Sequence, residues 1–166
     1  MPDILWAPWR LAYIEAPETG TEKGSNIFVE LPACDDDRKN LILHRGEKAF
    51  VLMNAYPYSN GHLLVAPFHA TAELGDLDDP TLLEVNQILA KCVRWLRAAF
   101  NPDGFNIGIN LGRPAGAGIP QHIHWHIVPR WNGDTNFMTT LGGTRVIPQS
   151  LEESYDRLRR VVEREG

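Results

Sequence analysis

Two cysteines, Cys34 and Cys92, are all the chain has in 166 residues, and no Cys-x-x-Cys pair occurs. A disulfide framework or a cysteine-based metal motif is therefore not expected, and reduced thiols fit a cytoplasmic setting. Basic residues are in the minority, 16 Lys and Arg against 21 Asp and Glu, for a formal net charge of −5. That balance argues against a broad surface for DNA or RNA, while a phosphorylated small molecule at a locally positive site stays open. No run of about 18 apolar residues occurs, nor a charged segment leading into an apolar one, so neither a membrane span nor a signal peptide is expected. Internal repeats and low-complexity tracts are also missing. What remains is the composition of an ordinary globule, 43% apolar and 22% charged. One domain over residues 1–166 is expected, burying about 70% of its unfolded surface.

Histidine is distributed unevenly. Half of the six histidines fall within five residues, in Gln121-His122-Ile123-His124-Trp125-His126-Ile127-Val128-Pro129-Arg130. His122, His124 and His126 alternate with large apolar residues, the period of a β-strand. On one strand their rings would share a face, roughly 7 Å apart for neighbours two positions apart. Ile123, Trp125 and Ile127 would enter the core on the other face.

Around this stretch the chain reads as α+β. Residues 1–25 form an aromatic-rich arm, with Trp6, Trp9 and Tyr13 as anchors to the body or to a second subunit. Asn26 to Leu31 reads as a short strand or a helical turn. Leu41–His44 and Ala49–Asn54 predict two strands around a hairpin-like turn. The turn chemistry of Tyr56-Pro57-Tyr58-Ser59-Asn60-Gly61 precedes a central apolar strand at 62–67. Asp78, Asp79 and Pro80 predict a helix start, and apolar spacing carries that helix through Phe100. Phe105–Leu111 alternates as a fourth strand, and the histidine strand makes about five. Residues 144–166 form a C-terminal extension, with a helix from Ser150 capped by Ser150 and Glu153. Hairpin order with one long intervening helix predicts an antiparallel sheet with helices on one face.

The residues allow more than one chemistry. Three neutral imidazoles can hold zinc with one position left open. One imidazole can instead attack phosphorus while its neighbours orient it and handle protons. A span of roughly 13 Å from the first ring to the third on a strand favours the second, because a metal with ~2.1 Å bonds cannot gather such a row. A purely structural row of buried histidines is the third alternative. The loop Gly112 to Gly118 lets backbone amides approach an anion, although a tight turn accounts for the same glycines.

His122 to Val128 resembles the His-φ-His-φ-His-φ-φ signature of the histidine triad family. Phe50 to Asn54, Asn60 to Pro67 and Asn106 to Asn110 resemble its neighbouring strands, so the similarity spans about residues 26 to 138. Trp9-Arg10 and Pro129 to Phe137 resemble the branch that contains diadenosine tetraphosphate phosphorylases and fragile-histidine-type hydrolases. The resemblance implies a HIT-like sheet pairing into a continuous sheet across a homodimer. It implies a purine nucleotide or dinucleoside polyphosphate as partner and a nucleotidyl intermediate on His124. His122, His126 and His62 would assist His124. Asn54 would meet the ribose, Asn110, Gly116, Gly118 and Gln121 the phosphates, and Ile27, Phe28 and Leu52 the base. No cofactor is implied for the covalent step, though Mg2+ would accompany the polyphosphate.

Two departures from the family pattern stand out. Relatives with a structural zinc carry Cys-x-x-Cys where this chain has Asn26 to Val29, so no such zinc is expected, and His44 and His69 are read as surface or packing residues. Phosphoramidase members carry serine where this chain has Ile119. Nucleoside phosphoramidase chemistry is therefore the weaker alternative, alongside a nucleotide-binding regulatory protein.

Overall fold

The computed structural model describes residues 26–134 and 147–165. The N-terminal arm with Trp6, Trp9, Arg10 and Tyr13, and the stretch Thr135 to Phe137, lie outside the described residues.

Five antiparallel strands make one sheet in the order β1-β2-β3-β5-β4. They are β1 (Ile42–Arg45), β2 (Ala49–Met53), β3 (Leu63–Pro67), β4 (Gly104–Ile109) and β5 (Trp125–Arg130). β2 and β3 are buried throughout, as their unbroken apolar runs predict. The helices are α1 (Ile27–Ala33), α2 (Asp79–Phe100) and α3 (Leu151–Glu165). The α+β class expected from the sequence is the one found.

Side-chain alternation splits the sheet between two cores. Leu43, Val51, Met53, Leu63, Val65 and Ile127 face α2 and α3, where Val85, Ile88, Leu96, Tyr155 and Leu158 cover them. Ile42, Phe50, Leu52, Leu64 and Ala66 face the opposite way and are covered by Phe28 of α1. The expectation of helices on one face alone is corrected here. Asn26 caps α1 by accepting the Phe28 N–H, and Glu30 Oε1 accepts the Asn26 N–H in return. This reciprocal cap makes the segment helical.

α2 starts where its proline and cap predict, with Asp78 accepting the Thr81 N–H at 2.9 Å. It ends on Asn101 in the left-handed region. Ser150 accepts the Glu153 N–H at the start of α3. Tyr155 and Arg159 then tie α3 to the β1 carbonyls of Ile42 and Leu43. Gly61 is required by its φ of +73° and by Phe100, whose ring a Cβ would meet at 2.8 Å. This close approach lets the 56–61 turn deliver β3, with His62 at its entrance, against the end of α2.

Candidate active site

Only His126 of the three clustered histidines lies on a strand; β5 begins at Trp125. The β3–β5 ladder ends at Val65–Trp125. Continuing that register would bring Pro67 opposite Ile123, and proline has no N–H for a ladder bond. The Pro67 carbonyl is taken instead by the His122 ring Nε2 at 2.8 Å, while the Ile123 N–H turns to Thr71 O. The expectation of three rings in a row on one strand is thus corrected. His122 and His124 sit on the bend before it, and the His124 and His126 ring centres are 5.0 Å apart.

Hydrogen bonds fix the tautomer of each ring. The Asn54 Oδ1 accepts the Tyr56 N–H, so its amide NH2 faces His62 Nδ1 at 3.3 Å. The Tyr58 N–H donates to the same nitrogen at 3.1 Å. Two donors aimed at Nδ1 leave the His62 proton on Nε2, which then donates to His126 Nδ1 at 3.0 Å. His126 therefore carries its proton on Nε2, a buried donor with no partner among the described residues. His124 Nδ1–H donates to its neighbour's carbonyl, His122 O, at 2.8 Å, placing the lone pair on His124 Nε2. His122 donates through Nε2 and accepts from the Asn26 amide at Nδ1, 3.1 Å away.

Burial lowers the pKa of all three clustered histidines. For His126, burial and then the nearby His124 bring it to about 4. At neutral pH the rings are uncharged, so the site works through N–H dipoles and a lone pair. Phe28 packs its ring 4.5 Å from that of His124 and 5.2 Å from that of His122. Phe28 and Leu52, both expected at a base, are 1% and 2% exposed and belong to the smaller core. Asn54, expected at a ribose, has both ends of its amide engaged with the 54–62 turn.

A family model described as the HIT domain matches residues 37–133. The chain belongs to the HIT domain family. It is 39% identical over 155 residues to the AP-4-A phosphorylase of Mycobacterium tuberculosis, covering 90% of this chain and 79% of that protein. It is 30% identical over 91 residues to the bis(5'-adenosyl)-triphosphatase of Saccharomyces cerevisiae, covering 54% of this chain and 44% of that one. Among solved structures it resembles a zinc-bound histidine triad family protein from Mycobacterium smegmatis, with TM-score 0.62 and 31% identity over 75% of this chain and 85% of that one. Among the described residues of this HIT domain no three His, Cys, Asp or Glu side chains are grouped to hold a metal ion.

The remaining expected residues of this HIT domain, Asn110, Gly116, Gly118 and Gln121, lie in the segment that joins β4 to β5. The Asn110 amide donates to Gly116 O at 3.4 Å. The Gly116 and Ala117 N–H groups turn inward to the carbonyls of Arg113 and Gly112. The loop is thus a closed turn, exposed at Gly116 and Gly118 on either side of buried Ala117, with Gln121 also at the surface. Ile119 packs against the Phe28 cluster. His44 sets its ring edge-on to Trp95, and His69 is exposed. Sequence reasoning missed Tyr58, whose ring lies 4.6 Å from His62 and 5.8 Å from His126. The only signal was an aromatic in a turn that leads into a histidine. No helix among the described residues is long and apolar enough to cross a membrane.

Proposed function

We propose that this HIT domain is a nucleotide-processing enzyme that splits dinucleoside polyphosphates through a nucleotidyl intermediate on His124. The observation that carries this reading is the paired geometry of two rings. His124 has a lone pair on Nε2, and His126, 5.0 Å away between ring centres, has a buried unpartnered Nε2–H. One is a nucleophile and the other a donor for a non-bridging phosphate oxygen.

As His124 Nε2 bonds to an α-phosphorus, the bond from phosphorus to the bridging oxygen breaks. The rest of the substrate leaves as a nucleoside polyphosphate with the electron pair. Positive charge developing on the His124 ring is stabilised by the His122 carbonyl at Nδ1–H. The leaving phosphate is a weak base and needs no acid, which suits a site with Ile119 in place of a hydroxyl. Phosphate or water then displaces His124, releasing a nucleoside diphosphate or monophosphate. No metal enters the covalent step; Mg2+ accompanies the polyphosphate chain. Asn110, Gly118 and Gln121 are the contacts for its oxygens.

Two copies join along β4, an edge strand with exposed Ile107 and, just past its end, exposed Leu111, into a continuous sheet. A monomer by light scattering at micromolar concentration would contradict this. The unpaired cysteines, Cys34 exposed and Cys92 buried, suit the cytoplasm.

The test is turnover of diadenosine tetraphosphate with and without phosphate, in chelator and then with Mg2+ restored. ADP plus ATP indicates phosphorolysis, and AMP plus ATP hydrolysis. Tight binding with no product supports a regulatory protein instead.

A further inference from the structure

Next to His126, the open half of the sheet over β4 and β5 and two flanking loops enclose a cavity of about 900 Å3. Its size is at the upper end for small-ligand sites and ample for a nucleoside. Tyr58, His126, Asn106, Asn110, Val128 and Trp131 contribute to its wall. Asn106, Gly108 and Val128 reach it because they share the face of His126 in the β4–β5 register. Gly108 sits directly opposite His126, and nothing lies within 4 Å of where its Cβ would be, which leaves the space beside the ring open.

Tyr58 is an aromatic group of this wall, with its ring centre 5.8 Å from that of His126. Its ring is nearly parallel to that of His126, 12° apart, and its side is set against His62. At 46% exposure it still presents aromatic surface to solvent. Its backbone N–H is bonded to His62, so the ring is carried on a turn already fixed to the catalytic relay. The guanidinium in the wall, Arg130, is bidentate to Asp134 and donates to Asn106. Beyond His126 and Asn110, which are assigned to the phosphates above, the wall combines an aromatic platform, aliphatic surface and side-chain amides with a cation already held by a carboxylate. That combination suits a heterocycle and ribose hydroxyls better than an anionic phosphate chain.

Resting on the function proposed above, we infer that this cavity receives the nucleoside of the departing half of the substrate, with its base stacked on Tyr58. Tyr58 is then a specificity-determining residue that distinguishes a dinucleotide from a mononucleotide carrying the same phosphate chain.

The experiment compares kcat/KM for diadenosine tetraphosphate and adenosine tetraphosphate, which lacks the second nucleoside. The wild-type chain should prefer the dinucleotide by about tenfold or more, the scale of one base stacked on an aromatic ring. Tyr58→Ala should bring the ratio close to one, and Tyr58→Phe should keep it. A ratio unchanged in Tyr58→Ala, including one in which both substrates slow equally, overturns the inference and assigns Tyr58 to packing. If the wild type cleaves neither substrate, the proposed function fails first. Titration of the wild type and Tyr58→Ala with the two compounds then decides. A preference for the dinucleotide lost in the variant supports the cavity assignment, and equal affinities in the wild type overturn it.

Discussion

His62 Nε2 and His126 Nδ1 stand 3.0 Å apart, and this contact sets which nitrogen of His126 carries its proton. The consequence is a donor aimed at the site instead of a second lone pair. His62→Ala frees that choice and should lower kcat by up to about a hundredfold, the low end of the range for losing a preorganised donor. His62→Gln keeps an amide N–H that can reach His126 Nδ1 and should recover part of the loss. Equal kcat in the two variants would mean that His62 merely fills space.

Acid should affect activity and stability at different points. The proposed nucleophile is the neutral form of His124, and burial lowers its pKa. The acid limb of kcat/KM should therefore fall below the ordinary histidine value of about 6.5. A midpoint at or above 6.5 counts against a buried neutral nucleophile.

The same burial links stability to pH. An unfolded histidine takes up a proton near 6.5, while folded His126 resists protonation down to about 4. The unfolded chain thus binds more protons in that window. This contribution is fully present above about 6.5 and is lost as pH falls toward 4. In denaturant melts between pH 7 and 4.5, His126→Asn should show a shallower decline than the wild type. Parallel declines would remove His126 as a source.

Phe28 joins the smaller core to the site, packing on Phe50, Leu52 and Leu64 on one side and on the His122 and His124 rings on the other. Phe28→Ala should cost about 3–5 kcal/mol of stability by the usual cavity arithmetic. The variant that remains folded at low temperature should also lose kcat, because His124 loses its backing. Full activity in a destabilised Phe28→Ala chain would show that the packing does not orient His124.

Much of this fold was legible because local signals agreed with the final packing. β2 and β3 are continuous apolar runs, α2 carries an Asp-Asp-Pro start and a helical stripe, and α3 has its capping serine. The placing of four histidines near one another was partly legible too, since the three clustered ones alternate with apolar residues and His62 opens an apolar strand. The bend at His122 and His124 was not, because it depends on Pro67, more than fifty residues away, withholding a ladder N–H. The helical state of α1 was hidden in a segment of seven residues with an internal proline, too short to display a period. The proton arrangement was beyond pattern reading altogether. It begins at a backbone N–H of Tyr58 in a turn and ends at His126 on a distant strand.

The most direct test is to mix the protein with diadenosine tetraphosphate, quench within one turnover in alkali, and measure the intact mass. The wild type should carry one adenylyl group per chain, mapped to His124, and His124→Ala should carry none and lose nearly all turnover while keeping its melting curve. Turnover without an adduct, or an adduct on any other residue, would contradict the account.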